Sequence, residues 1–338
     1  MPCNAGGKIC SRHGGCIMKW LRAIALVLLS VFVIIGYLGL GGASWWIYPT
    51  SSLEQDILLE IRAPRLVLAL LNGMILGGAG AVFQIILRNP LAEPGITGVS
   101  TGTALTIVVA LYFGWQGPVA WALPFVGMLG GLASLALLWL LAGRGANPLR
   151  LILAGVALAA LAGAGISLVL NLAPNPFAFQ EWSLWLMGSL ANRGWEHVEL
   201  LAPITLLGLV LITTQRSFIN AHIFDFSTFQ QFGFNVSVRS LLLLLGLTLW
   251  ISGSVVSAGA ISFIGLLAPH LVRLLGIYHP QKLIALSMVM GAVILVAVDA
   301  MVLLIPTRVE LQLGVIAAAL GAPMLLHLLA RQRLINDA

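Results

Sequence analysis

Few side chains in this sequence are equipped for chemistry, and they are thinly spread. Asp299 stands in the apolar run GAVILVAVDAMVLL, where a lone charge in hydrocarbon costs at least about 2.5 kcal/mol. Such a carboxylate either couples an ion to transport or pairs with a neighbouring helix. A coupled carrier needs more groups of this kind, or unwound polar stretches near mid-membrane, so pairing is the favoured reading. His270, beside Pro269, has the chemistry of a haem or metal ligand, but a helix-end histidine bonded to free carbonyls explains it with less. His327 reads the same way. Arg62, Arg65 and Arg308 have two accounts: snorkelling or pairing with Glu60 and Glu310, or an electrostatic dock for an acidic partner. Cys3, Cys10 and Cys16 fit no zinc spacing and precede the first span, where a cytoplasmic setting disfavours disulfides. The strings GxxxxGK[ST] and HExxH are missing from the sequence, so neither an ATP-phosphate cradle of the usual kind nor an enzyme centre is expected. No metal or cofactor is expected either.

The elements that must position these residues are membrane spans. Hydrophobic residues make up 60% of the chain, charged residues 8%, and the mean hydropathy is +1.04. A soluble globule carries roughly 25% charge. The formal charge of +6 suggests nucleic acid until its placement is examined. Of seventeen Lys and Arg, all but Arg62, Arg65, Arg193 and Arg308 fall on one side of a ten-span layout, as the positive-inside rule requires of cytoplasmic loops. Both termini then lie in the cytoplasm. The spans are Ile24–Leu40, Leu66–Leu87, Ile96–Phe113, Val119–Ala142, Leu151–Leu170, Val198–Thr214, a short hairpin pair between Arg239 and Arg273, Leu283–Ile305 and Leu311–Ala330. The hairpin is expected to turn at Ser257-Ala258-Gly259 and its second arm to end at Pro269-His270. Residues 1–17, ahead of Met18-Lys19-Trp20, read as a dispensable or misassigned extension; 18–338 form one membrane domain. Phe177, Phe179, Trp182, Trp185 and Trp195 suggest an interfacial helix in the segment Asn171–His197. The segment Ser217–Ser237, with six phenylalanines, is too apolar to face water without a partner.

Four strings in tight order, RAPR (62–65), GAVFQ (80–84), RNPLAEPG (88–95) and GVSTG (98–102), are joined by GAISFIGLLAPHLVRLLG (259–276) and ELQLGVIAAALGAP (310–323). Together they resemble the FecCD-type permeases, the membrane subunits of ATP-driven importers for iron–siderophore, haem and cobalamin. The likeness runs from about Ile61 to Arg333. Two departures stand out. ELQLG replaces the usual ELP-x-G, and Asp225-Phe226-Ser227-Thr228-Phe229-Gln230-Gln231 occupies the place of a Leu-Gly-Glu-Glu-like run.

The resemblance implies an all-α, type II importer fold of about ten spans. It implies a homodimer in the bacterial inner membrane, two separate cytoplasmic ATPase subunits and a binding protein on the far side, working by alternating access. On this basis Arg62 and Arg65, which match R-x-P-R, dock the binding protein, and Arg308 joins them by position. The segment 217–237 couples to the ATPase through Phe224, Asp225, Phe226, Phe229, Gln230, Phe232 and Gly233. The translocation path follows spans five and ten, at Gly155, Ala159, Gly163, Gly314, Ala318 and Gly321. The competing reading is a secondary transporter or channel without an ATPase, or a membrane scaffold. Small pore residues do not specify the cargo.

Overall fold

The computed structural model describes residues 35–39, 52–115, 121–143, 148–224, 233–305 and 311–336, with side chains in the last segment as far as Met324. The described elements are helices. We number them α1 (Ser52–Ile86), α2 (Val99–Tyr112), α3 (Ala122–Ala142), α4 (Pro148–Asn171), α5 (Pro176–Leu186), α6 (Trp195–Thr214), α7 (Arg216–Ala221), α8 (Val236–Ala258), α9 (Ile264–Leu274), α10 (Pro280–Leu304) and α11 (Leu313–Asn336). Six of them, α1, α3, α4, α6, α8 and α10, are long and apolar enough to cross a membrane, and α2, α9 and the described part of α11 are shorter apolar helices. With a helical stretch at 35–39 from the expected first span, the layout is that of about ten spans.

Backbone contact organises the centre. A Cβ on Gly73 would lie 2.4 Å from Gly291 O, and one on Gly77 would lie 2.1 Å from Ser287 O. Helices α1 and α10 therefore touch through their main chains, the close approach that small residues permit where no hydrophobic force drives helices together. Helix α9 meets α1 in the same way, at Gly80 against Gly265 O. Interhelical polar bonds reinforce the packing: Thr103 Oγ1 donates to Ser252 Oγ (3.0 Å), Ser257 Oγ to Asn72 Oδ1 (3.2 Å), and the Trp250 indole N–H to Thr205 O (2.9 Å). Helix α4, by contrast, buries only Gly155, Leu158 and Ala162.

Several expectations need correction. The acidic stretch Glu54–Glu60, ahead of the expected start of the second span at Leu66, is already helical: it is the first part of α1, which passes through a π-helical turn at Ile57–Arg62, with Ala63 N–H donating to Leu58 O. Helix α8 continues through Ala258, and the turn spans 259–263, because Gly259 takes φ +76° there. Helix α9 runs through Pro269 and His270 to Leu274. His270 is thus mid-helix, and its buried Nε2 has no hydrogen-bond partner. The third span begins at Val99, after a 3-10 turn at Pro94–Thr97. The interfacial helix expected in 171–197 is α5, started by the Asn175 side chain accepting from Ala178 N–H (2.9 Å). Cys3, Cys10, Cys16 and the whole 1–17 extension lie outside the described residues.

Candidate functional site

The two ends of the bundle and the helices α4 and α11 hold the residues singled out above. In the N-terminal half of α1 the two motif arginines have different surroundings. Arg65 is buried, 8% exposed. Its Nε and Nη2 donate to Asp299 Oδ2 and Oδ1, each at 2.8 Å, while the Tyr37 hydroxyl donates to Oδ2 at 2.6 Å. Asp299 is 0% exposed, so its charge is answered by a bidentate guanidinium and a phenol. Arg62, three residues earlier and on the next turn, is half-buried, and its Nη1 reaches Leu38 O at 3.4 Å. Arg308 lies outside the described residues.

Beside Arg65 opens a pocket of about 160 Å³, lined by Glu60, Ile61, Arg65, Leu190, Asn192 and Arg193 among others. Arg193 is half-buried. Its Nη1 donates to His197 Nε2 at 2.8 Å, which leaves His197 Nδ1 to donate to Glu196 Oε1 at 3.1 Å. Burial pushes the Arg193 guanidinium below its ordinary value, and the Glu196 charge offsets this only in part. The sequence carried one hint of this cation, its place among the four against the positive-inside trend, but no motif marks it. Glu60 stands exposed at the rim, next to the Trp195 indole, whose N–H donates to Leu59 O at 2.9 Å.

At the opposite end of α1, Arg88 Nη2 donates to Phe224 O. Phe224 is 49% exposed, at the edge of the aromatic segment. Phe218 is buried instead, edge-on to Phe234 with centroids 5.9 Å apart. Gln281 Nε2 ties α10 to α7 through Arg216 O (3.2 Å) and Asn220 Oδ1 (3.0 Å). Gly233 takes φ +70° with open space around it. Asp225, Phe226, Phe229, Gln230 and Phe232 lie outside the described residues.

The six small residues of α4 and α11 divide into two groups. Gly155, Gly314 and Gly321 serve close packing: a Cβ would meet Ile96 O at 2.2 Å, Met187 O at 2.2 Å and Phe263 Cβ at 2.5 Å respectively. Ala159, Gly163 and Ala318 are half-buried, and nothing lies within 4 Å of a Cβ on Gly163. The start of α11 is fixed by Leu313 N–H donating to Gly188 O (2.9 Å), beside Ser189 N–H donating to Ala258 O (2.8 Å). No group of three or more His, Cys, Asp or Glu placed to hold a metal occurs among the described residues.

Residues 22–331 match the model of the FecCD transport family. The chain is 34% identical to the vitamin B12 import system permease protein BtuC of Vibrio cholerae over 322 residues, 93% of this chain and 95% of that one. It is 31% identical to the iron-uptake system permease protein FeuC of Bacillus subtilis over 334 residues, 93% of this chain and 98% of that one. A solved inward-facing transporter described as of metal-chelate type superposes with a TM-score of 0.83 at 29% identity, covering 91% of this chain and 98% of that one. The helical layout, the buried motif arginine and these likenesses agree, and the chain belongs to the FecCD transport family as a multi-pass membrane permease of an ABC importer.

Proposed function

We propose that the chain works as a homodimer with two cytoplasmic ATPase subunits and an external binding protein, importing an iron chelate, haem or cobalamin by alternating access. The N-terminal half of α1, with Arg62, then faces outward, and Arg88, Phe224 and both chain termini face the cytoplasm. The observation that carries this reading is the pairing of two distinct ends on one rigid pair of helices. One end presents Arg65 and Arg193 around a pocket, with Arg62 one turn away; the other presents the exposed Phe224, tied to Arg88.

Arg65 serves this dock from beneath, since its guanidinium holds Asp299 and fixes the turn that carries Arg62. Arg308 belongs to the same outer face. The coupling surface is the segment from Phe224 to Gly233, which includes Asp225, Phe226, Phe229, Gln230 and Phe232. Translocation follows the face of α4 and α11 that bears Ala159, Gly163 and Ala318, and Gly155, Gly314 and Gly321 let these helices seat closely. The relatives named for vitamin B12 and iron uptake support the cargo class. The test is uptake by the reconstituted complex: ATP-dependent accumulation of a ferric siderophore, haem or cobalamin in proteoliposomes. Uptake that proceeds without an ATPase would instead establish a secondary carrier.

A further inference from the structure

The segment following α1 turns back into the bundle. Helix α1 ends at Ile86, yet Pro94 Cδ lies 2.6 Å from where a Gly265 Cβ would be, and Gly265 O abuts Gly80. Six residues of helix separate Gly80 from Ile86, so the segment re-enters by about 9 Å at 1.5 Å per residue. Three non-glycine residues among those described have positive φ, and two of them bracket this segment's contacts: Arg88 at +49° and Phe263 at +67°. Held strain of this kind belongs to positions that the surrounding structure over-determines, often switch regions.

Each contact leads to the next. The Phe224 carbonyl, on the aromatic loop, accepts from Arg88 Nη2. Five residues on, Glu93 Oε2 accepts from Phe263 N–H at 3.3 Å, capping the start of α9. The Phe263 side chain fills the space over Gly321 of α11. Beside this cap lies a cavity of about 130 Å³ lined by Glu93, Ser100, Thr101, Ser254 and Phe263 among others. That is large against the roughly 10–15 Å³ needed for one water. The Ser254 hydroxyl, 1% exposed, lines it without a hydrogen-bond partner. Packed interiors leave few such spaces, and here the space adjoins the strained residue, so the cap has room to shift.

We propose that the Arg88–Glu93 segment carries the movement of the aromatic loop to α11, with Glu93 as a positioning residue that acts through Phe263. This rests on the coupling and path assignments made above. A static tie would give stability alone; a transmitting one sets how much cargo moves per ATP, and coupling between sites in proteins is commonly about 5- to 150-fold.

The test uses the whole transporter in proteoliposomes, measuring cargo imported per ATP hydrolysed together with the melting midpoint of the purified complex. Glu93→Ala should lower the ratio at least about five-fold. Glu93→Gln, whose amide oxygen still accepts from Phe263 N–H, should restore most of it. Independently, a ¹⁹F label on Ser262→Cys, with Cys3, Cys10 and Cys16 replaced by serine, should shift its resonance on trapping with ADP and vanadate, and Arg88→Ala should abolish that shift. An unchanged ratio in Glu93→Ala, or a full-sized shift in Arg88→Ala, overturns the proposal. If Glu93→Ala does not assemble, the label experiment decides. A transporter with native Arg88 and Glu93 that recruits no ATPase removes the permease reading, and this inference with it.

Discussion

Arg65 and Asp299, 234 residues apart in the chain, meet through two 2.8 Å hydrogen bonds on a site where Asp299 is wholly buried. Each member is expensive alone and tolerable together. A buried pair is weak evidence of net stability, because desolvation offsets the attraction, but removing one partner strands a charge at about 3–5 kcal/mol. Arg65→Met and Asp299→Leu should each therefore lower the melting midpoint of the detergent-purified protein sharply. Arg65→Met with Asp299→Leu should recover much of the loss, a coupling that a double-mutant cycle measures directly. Additive effects of the two single changes would show that the pair is not coupled.

The proposed dock would make opposite demands on three charges. Rim charges act mainly on association rate and its salt dependence, whereas truncating a pocketed one raises dissociation. Arg62→Glu should slow binding-protein association at low salt, an effect that fades as the Debye length shortens to about 10 Å at 0.1 M. Arg193→Gln should speed dissociation. Glu60→Gln, which removes an acid from the mouth of the Arg193 pocket, should strengthen binding. Binding kinetics in nanodiscs at two salt concentrations would expose any wrong sign.

Glycines that look alike in sequence should tolerate a methyl group very differently. Gly77→Ala forces a Cβ to within 2.1 Å of Ser287 O, whereas Gly163 has nothing within 4 Å. Overpacking costs about 1–3 kcal/mol, so Gly77→Ala should melt well below Gly163→Ala, which should match the parent. Equal midpoints would mean that α1 and α10 separate freely.

His222, at the end of α7, makes the end of the bundle that carries Phe224 pH-sensitive. Burial pushes its imidazole below the ordinary value; its bond to Phe218 O partly opposes this, and the Arg88 charge adds to it. The folded chain therefore stays neutral there while the unfolded chain takes a proton near pH ~6.5. Stability should be full above that value and fall as pH drops from it toward the lower folded value. Melting midpoints from pH 7.5 to 5.5 should show this slope, and His222→Asn should flatten it.

Composition and hydrophobic runs were enough to determine a many-span α-helical membrane protein, and ordered strings such as RAPR and RNPLAEPG were enough to suggest its family. Long apolar periods declare themselves because lipid accepts helices whose backbone bonds are internally satisfied. Boundaries set by local chemistry were also readable, as with the end of α1 near Leu87 and the short helix in 171–197.

Tertiary structure alone decided which identical residue types do different work. Arg62 and Arg65 stand in one motif, yet one turns half outward and the other inward to Asp299, a partner whose sequence distance gives no periodic signal. Gly155 and Gly163 belong to the same small-residue face, but only Gly155 meets a neighbouring backbone. Glu93 reads as a loop acid because prolines flank it, and only the re-entrant path brings it to Phe263 N–H. Sequence records what each residue prefers locally; charge pairing, close backbone approach and re-entry depend on segments far along the chain arriving at the same place.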